Sequence, residues 1–269
     1  MSAPAWRGRE GLRRFALVGG IVVAAAAVGY PVLRAPVPER EVAPASAQGM
    51  PAHLRPIYSA RTADPVLALT FDISWGNRTW PKVLEILEKE QVRATFFLSG
   101  PWAQKHPEAV KQIVAGGHEI ASHGHRHDNF SRLGRAGTAE NIQTAHAILR
   151  EVSGREPRLI RPPNGDFDAV SLQATRDVGY ETVIWSVDSL DWKNPGVGVM
   201  VQRVLSLAHP GAIVLFHASD SSKQVHEALP RVIRGLRQKG YAFMTVGEML
   251  ARYGPDPTGC IRVPGRTGC

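Results

Sequence analysis

Between residues 66 and 253 the chain alternates short apolar runs with longer amphipathic stretches. The apolar runs predict strands at 66–71, 94–98, 119–121, 159–160, 181–187, 212–216 and 242–245. The amphipathic stretches predict helices at 81–90, 107–115, 138–152, 168–178, 199–208, 225–239 and 246–253. Such alternation is typical of a parallel sheet. This number of repeats predicts an α/β fold, a distorted or incomplete (β/α) barrel of seven to eight strands.

Charged and ionisable side chains follow the predicted strands at the points where the strands end. They are Asp72, His123, Arg161, Asp188, Asp191 and His217. The carboxyl ends of parallel strands meet on one face of a barrel, and active sites are built on that face. Polar residues placed at random in loops would fall on both faces. The sequence therefore predicts an enzyme before any relative is considered.

A histidine cluster, Ser122–His127, follows the third predicted strand. His123 and His127 stand four residues apart, so one turn of chain can aim both imidazoles at one point. Neutral imidazole is a common ligand of zinc and similar ions, so the pair are candidate metal ligands. A polar loop that is merely rich in histidine is the alternative. We expect His125, between them, to point away.

The net charge of +8 suits a polyanionic partner, but much of the excess lies near the chain ends. The terminal arginines are Arg7, Arg9, Arg13, Arg14, Arg262 and Arg266. No basic helix with interleaved aromatic residues and no nucleic-acid motif is present, so we expect no nucleic-acid partner. The two cysteines, Cys260 and Cys269, either close a small loop in an oxidising compartment or remain free.

The N-terminal part of the chain predicts export. Residues 1–14 are polar and arginine-rich, and we expect them in the cytoplasm. Residues 15–33 are apolar and uncharged, long enough for one transmembrane helix that leaves the rest of the chain outside. A cleaved signal sequence, which would give a secreted protein, is the alternative. The remaining predicted segments are a Pro/Ala-rich linker at 34–63, a folded domain at 64–253 and a C-terminal tail at 254–269.

Five stretches of the predicted domain resemble, in order, the five motifs of a known family. They are Thr70–Asp72, the Ser-His-x-x-x-His pattern at 122–127, Arg161–Gly165, Asp188–Trp192 and Leu215–His217. The family is the polysaccharide deacetylases, the NodB-homology proteins of carbohydrate esterase family 4. The resemblance covers about residues 64–250. The stretch Phe71–Gly76 is similar to a subgroup associated with bacterial sporulation.

The resemblance implies a hydrolase that removes N-acetyl groups from cell-wall glycan, such as peptidoglycan or a chitin-like oligosaccharide. It also implies a monomeric catalytic domain and a divalent ion, usually zinc, with cobalt or nickel as alternatives. The implied metal ligands are His123 and His127. Asp72 is implied as the general base, oriented by Arg161, and His217 as the general acid, paired with Asp191. The residues implied to contact the substrate are Trp192, Leu215, Pro163 and Asn164.

Two positions depart from the family pattern. The first family motif carries a second aspartate as a third metal ligand, and Ile73 occupies that position here. The substitutes that the sequence offers are Ser74, Asn77, His125, Asp128 or an additional water. The tyrosine usual in the third motif is Asn164. Three functions therefore stay open: an active de-N-acetylase, a wall-glycan-binding protein on a degenerate site, and a hydrolase of ester-linked acetyl groups or of other amides.

Overall fold

The computed structural model describes residues 50–265 of the chain. Within them, the parallel strands are β1 Val66–Ile73, β2 Thr95–Leu98, β3 Glu119–Ser122, β4 Leu159–Ile160, β5 Glu181–Thr182, β6 Val187–Asp188, β7 Ala212–His217 and β8 Ala242–Phe243. The α-helices of the same residues are α1 Trp80–Lys89, α2 Gly100–Lys105, α3 Pro107–Ala115, α4 Gly134–Ser153, α5 Ala169–Asp177, α6 Val197–Leu207, α7 Val225–Gln238 and α8 Val246–Tyr253. The strands number eight, within the predicted range.

The strands form one sheet in the order β5-β4-β3-β2-β1-β7-β6, with β8 beside the start of β1. β5 and β6 lie at opposite ends of this order although they are close in sequence. The segment that joins them spans both edges of the sheet. Val183 N donates to Ile160 O of β4 at 2.8 Å, and Ser186 N donates to Ile213 O of β7 at 3.0 Å. The sheet is therefore a distorted barrel, as predicted.

The segment predicted to be β-rich, 181–187, contributes to two short strands, β5 and β6. The β-rich segment exchanges its partner half-way, from β4 on one side to β7 on the other, so two short strands replace one. Local composition predicts the extended backbone, but it does not predict the change of neighbouring strand.

The side chains on the two faces of β1 pack in different layers of the fold. All eight residues of the strand are buried, as expected where helices cover a parallel sheet. Phe71 and Ile73 belong to an apolar layer shared with α1 and α7. Ala68, on the other face, belongs to the cluster that fills the barrel. Because side chains alternate along a strand, Asp72 shares the interior face with Ala68.

The chain before β1 packs against the barrel. Ile57 pairs with Val183, and Ser59 pairs with Ala212 at the start of β7. Ile57 is only 6% exposed. The last residues of the predicted linker, 34–63, therefore pack against the folded domain. The apolar side chains of these residues show neither a helical nor a strand period. For this reason the Pro/Ala-rich composition did not predict that they pack against the barrel.

The predicted tail, 254–269, also contacts the folded domain. Arg262 N donates to Ser186 O at 2.7 Å. Cys260 is disulfide-bonded, which agrees with the first of the two states considered for the cysteines. Cys269 lies outside the described residues.

Several predicted segments cannot be compared with the structure. The basic segment 1–14, the apolar segment 15–33 and most of the linker lie outside the described residues. In the part of the chain that is described, none of the helices is both long and apolar enough to cross a membrane. Helix α2 has only six residues, too few to show a helical period, and the sequence does not predict it.

Candidate active site

Asp72 and His217 lie side by side at the carboxyl end of the barrel. β1 and β7 are parallel neighbours, and their register places the Cα atom of Asp72 opposite that of His217. Leu215, two residues before His217, belongs to the cluster inside the barrel, so both polar side chains lie on the interior face. The ladder between two strands thus brings together two residues that are far apart in sequence.

Arg161 holds Asp72 from inside the barrel. Its Nη1 donates to Asp72 Oδ1 at 2.7 Å and to Thr70 Oγ1 at 2.9 Å. Its Nη2 donates to Ile184 O at 2.8 Å. The guanidinium is completely buried and lies 4.1 Å from the centroid of the Phe97 ring, a cation–π contact. The carboxylate is therefore fixed in one orientation.

The charges around Asp72 keep its carboxyl group ionised. Burial raises the pKa of Asp72, but the Arg161 guanidinium, with smaller effects of His123 and His217, outweighs burial and lowers the pKa below its ordinary value of 3.8. At neutral pH the group is a carboxylate, which is the form that accepts a proton.

His217 is held in the opposite protonation state. Its Nδ1 lies 2.9 Å from Asp191 Oδ1, and its backbone N donates to Asp191 Oδ2 at 2.7 Å. Burial alone lowers the pKa of His217, but the buried Asp191 carboxylate, followed by Asp72 and Asp188, raises it to about 9. At neutral pH the imidazole is cationic, which is the form that donates a proton.

A tight turn aims Asp191 at His217. Asp188 Oδ1 accepts from Leu190 N at 2.8 Å, and Asp191 N donates to Ser189 Oγ at 3.3 Å. Leu190 has φ of 59°, a left-handed conformation that costs a non-glycine residue free energy and that the Asp188 bond offsets. Asp188 therefore caps this turn. Among the described residues, no hydrogen bond is seen between Asp188 and His217.

His123 is oriented as a metal ligand would be. Its Nδ1 lies 2.7 Å from Arg161 O, and because a carbonyl can only accept, Nδ1 carries the hydrogen and Nε2 keeps a lone pair. Burial lowers the pKa of His123 to about 4, so the ring is neutral at pH 7. Nε2 lies 3.9 Å from Asp72 Oδ2, and the His127 ring centroid lies 5.3 Å from that of His123.

The loop after β1 brings Trp75 to His127. Trp75 is exposed, and the sequence did not predict it as a site residue. The ring centroid of Trp75 lies 5.7 Å from that of His127. The Asp220 carboxylate anchors the loop by accepting from Arg78 N at 2.9 Å and Thr79 N at 3.0 Å. Asp220 follows β7, so the contact joins two distant loops. Gly76 is the one local signal of a special turn there.

The two candidate metal ligands, His123 and His127, lie close together. Among residues 50–265, no group of three His, Cys, Asp or Glu side chains is placed to hold a metal ion. Ile73 lies in β1 with its side chain in the apolar layer under the helices, on the face opposite Asp72. The residues present therefore fit two of the three ligands of an ordinary catalytic zinc site.

Two of the side chains that could replace the third metal ligand are bound to other residues. Asn77 Oδ1 accepts from a tryptophan of α1 at 2.7 Å, and Asp128 forms an ion pair with its near neighbour Arg126 at 3.4 Å. His125 Nδ1 is buried next to Gly100 at the start of α2 and has no hydrogen-bond partner among the described residues. Ser74 Oγ is buried without a hydrogen-bond partner, but a neutral hydroxyl adds no charge to the site.

The four predicted substrate contacts occupy different environments. Trp192 is 42% exposed in the turn after β6, whereas Leu215 is 2% exposed inside the barrel. Pro163 is buried in a 3-10 turn after β4. Asn164 is exposed, and its Nδ2 donates to Asn129 Oδ1 at 2.7 Å. Trp192 and Asn164 thus lie at the surface of the site, and Leu215 and Pro163 lie beneath it.

The model of one protein family, polysaccharide deacetylase, matches residues 59–183. The peptidoglycan-N-acetylmuramic acid deacetylase PdaA of Bacillus subtilis is 32% identical over 197 residues, which are 72% of this chain and 74% of PdaA. The chain belongs to the polysaccharide deacetylase family. This membership agrees with the five motifs and with the parallel barrel.

Two further relatives of this chain have no deacetylase activity in their names. The uncharacterised protein YlxY of Bacillus subtilis is 35% identical over 195 residues; the match covers 72% of this chain and 60% of YlxY, less than two thirds of that protein. BA3943 of Bacillus anthracis, described as a CE4 family pseudoenzyme, superimposes with a TM-score of 0.69 at 34% identity and covers 73% of this chain and 69% of its own. A BA3943 mutant is described as having restored enzymatic activity.

The pairing of His217 with Asp191 makes the stability of the fold depend on pH. A group whose pKa is raised by folding adds stability that is complete below its unfolded pKa and lost as the pH rises through its folded pKa. For His217 this window runs from 6.5 to about 9, on the order of 3 kcal/mol at most. We expect Asp191→Asn to lower the free energy of unfolding most near pH ~6, and less near pH ~10, as measured by chemical denaturation.

His217→Gln supplies the control for this measurement, because glutamine cannot take up a proton. In that background Asp191→Asn should cost the same free energy at both pH values. An equal cost at both pH values in the wild-type background would contradict the charged pair.

Proposed function

We propose that this protein is a hydrolase that removes N-acetyl groups from cell-wall glycan, either peptidoglycan or a chitin-like oligosaccharide. The observation that carries the proposal is the register of β1 and β7, which sets the ionised Asp72 beside the cationic His217. A base and an acid held in these opposite states are what the hydrolysis of an amide requires. The name of the relative PdaA supports an N-acetylated wall sugar as the substrate class.

Each polar residue has one role in this reaction. Asp72 accepts a proton from water while the water oxygen attacks the carbonyl carbon of the acetamide. Arg161 orients Asp72 and keeps it ionised. His217 gives its proton to the sugar nitrogen as the carbon–nitrogen bond breaks, and Asp191 stabilises the imidazolium before that transfer. Acetate and a free amino sugar leave, Asp72 returns its proton to solvent, and His217 takes one up.

His123 and His127 are our proposed ligands for a divalent ion, zinc first, with cobalt and nickel as alternatives. The neutral state of His123 and the free lone pair of its Nε2 support this role. When bound, such an ion polarises the acetamide carbonyl and increases the acidity of water. Because Ile73 supplies no carboxylate, we expect weaker binding than at a site with three protein ligands.

One observation favours a second function, which is glycan binding without turnover. Ile73 directs an apolar side chain away from the site at the position where the family motif has a metal-binding aspartate. The pseudoenzyme BA3943 is a structural relative. In this second function the charged groups recognise the N-acetylated sugar, and no acetate is released.

The cellular location is also a proposal. The apolar run at 15–33 and the arginines before it support a single membrane anchor with the deacetylase domain outside the cytoplasm. Cleavage after export would give a secreted protein instead. The similarity of Phe71–Gly76 to a sporulation-associated subgroup stays a prediction.

Loss of the acid or of the base should abolish turnover without loss of the fold. We expect Asp72→Asn and His217→Ala each to lower acetate release from N-acetylated glycan fragments by about 100-fold or more, because each removes one proton transfer. Acetate and new primary amine are measured together, with zinc, cobalt or nickel supplied to the full-length protein.

The matched controls are Asp177→Asn and His53→Ala, which change an acid and a histidine outside the site. Both should retain wild-type activity. Retention of most activity in Asp72→Asn or His217→Ala would contradict the roles of Asp72 as the base and His217 as the acid. Wild-type protein that releases no acetate with any of the three ions would support the glycan-binding function.

Zinc binding can be tested without turnover. We expect one zinc ion per chain by isothermal titration calorimetry, and a loss of that binding in the double variant His123→Ala/His127→Ala, because two imidazoles supply the ligands. His125→Ala, in the same cluster, should bind as the wild type does. Equal losses in both variants, or no binding in the wild type, would contradict the assignment.

A further inference from the structure

Large apolar side chains are exposed on one side of the barrel. Within residues 50–265, those exposed by 42–49% are Trp75, Val170, Trp192 and Val199. Trp75 and Trp192 follow β1 and β6, and the two valines lie in the first turns of α5 and α6, which follow β4 and β6. In a parallel barrel, all these positions surround the carboxyl ends of the strands. The exposed apolar surface therefore rims the candidate active site.

Trp75 is presented by a rigid loop. Trp102 Nε1 donates to Gly76 O at 2.8 Å. Gly76 has φ of 87°, and a Cβ atom there would lie 2.5 Å from Cβ of Asp220, so the loop fits closely against its anchor. The Trp75 ring meets the His127 ring edge-to-face, with an angle of 75° between their planes. Trp75 is about half exposed although its ring contacts His127. Because the side chain is already held in place, little conformational entropy is lost when it binds a ligand.

Each of the two tryptophans adjoins a residue of the polar site. The Trp75 ring contacts that of His127. Trp192 directly follows Asp191, the partner of His217. Lys193 Nζ lies 5.1 Å from the centroid of the Trp192 ring. An extended ligand whose reacting group lies beside Asp72 and His217 would pass close to Trp75, because Trp75 contacts His127.

We propose that Trp75 is a stacking subsite for a pyranose ring of an N-acetylated glycan, next to the ring that carries the reacting acetamide. The proposal rests on the proposed function, since it takes the same glycan as ligand. An indole offers a flat apolar face, which matches the C–H groups of a pyranose ring, and tryptophan is enriched where binding free energy concentrates. Trp75 lies against a histidine of the polar site, so a polar ligand with apolar ring faces suits it better than a lipid surface.

Isothermal titration calorimetry with the tetramer of N-acetylglucosamine tests the subsite. Full-length protein is titrated in the presence of EDTA, so that neither turnover nor added metal contributes. Trp75→Ala should weaken the affinity about tenfold, from the loss of one aromatic contact. Trp75→Phe should lose less, because a flat ring remains. Val199→Ala, an exposed apolar residue outside the subsite, should bind as the wild type does.

Equal affinities of Trp75→Ala and wild type would overturn the subsite, as would a wild type that does not bind the tetramer. An equally large loss in Val199→Ala would also overturn it. If Trp75→Ala loses binding to phosphatidylglycerol vesicles but keeps its tetramer affinity, Trp75 contacts lipid and the proposal is wrong. Since no acetate is measured, an inactive wild type leaves this test intact, and the failure of the subsite is distinguishable from that of the proposed function.

Discussion

The burial of the Arg161 guanidinium inside the barrel is the interaction on which the rest of the site depends. A buried charge without a partner costs several kcal/mol, so the chain must surround this cation with acceptors. They come from β1, through Asp72, and from the β5–β6 segment, through Ile184 O, while β2 adds the face of Phe97. One side chain thus links β1, β2 and the β5–β6 segment inside the barrel. Its backbone carbonyl also fixes the tautomer of His123.

The same cation sets the chemistry that the site can perform. It keeps Asp72 ionised despite burial, while Asp191 keeps the adjacent His217 protonated. The opposed states persist because each is stabilised by a separate buried partner and because the strand register fixes the pair side by side. The acid and the base of our proposed reaction are therefore held in opposite protonation states. Ile73 faces the helices, so our proposed metal site has two protein ligands, and our proposed function and its non-catalytic alternative differ at that point.

Much of the barrel could be predicted from the sequence, because buried strands and amphipathic helices have distinct periods. The polar residues at the strand ends could be predicted as well, since parallel topology brings those ends together. Local patterns could not show what depends on distant partners. The exchange of partners after Thr182, the packing of Ile57 and the anchoring of Trp75's loop by Asp220 are all contacts between distant segments. The motif around His123 was accordingly easier to find than the aromatic surface beside it.

The most direct test of the central claim is the protonation state of the site histidines at neutral pH. Nitrogen-15 NMR of labelled histidine in the wild type, with His217→Gln and His123→Gln to assign the signals, distinguishes imidazolium from each neutral tautomer. We predict a doubly protonated His217 and a neutral His123 with its hydrogen on Nδ1. A neutral His217 at pH ~7 would contradict the paired acid and base on which the proposed hydrolysis depends.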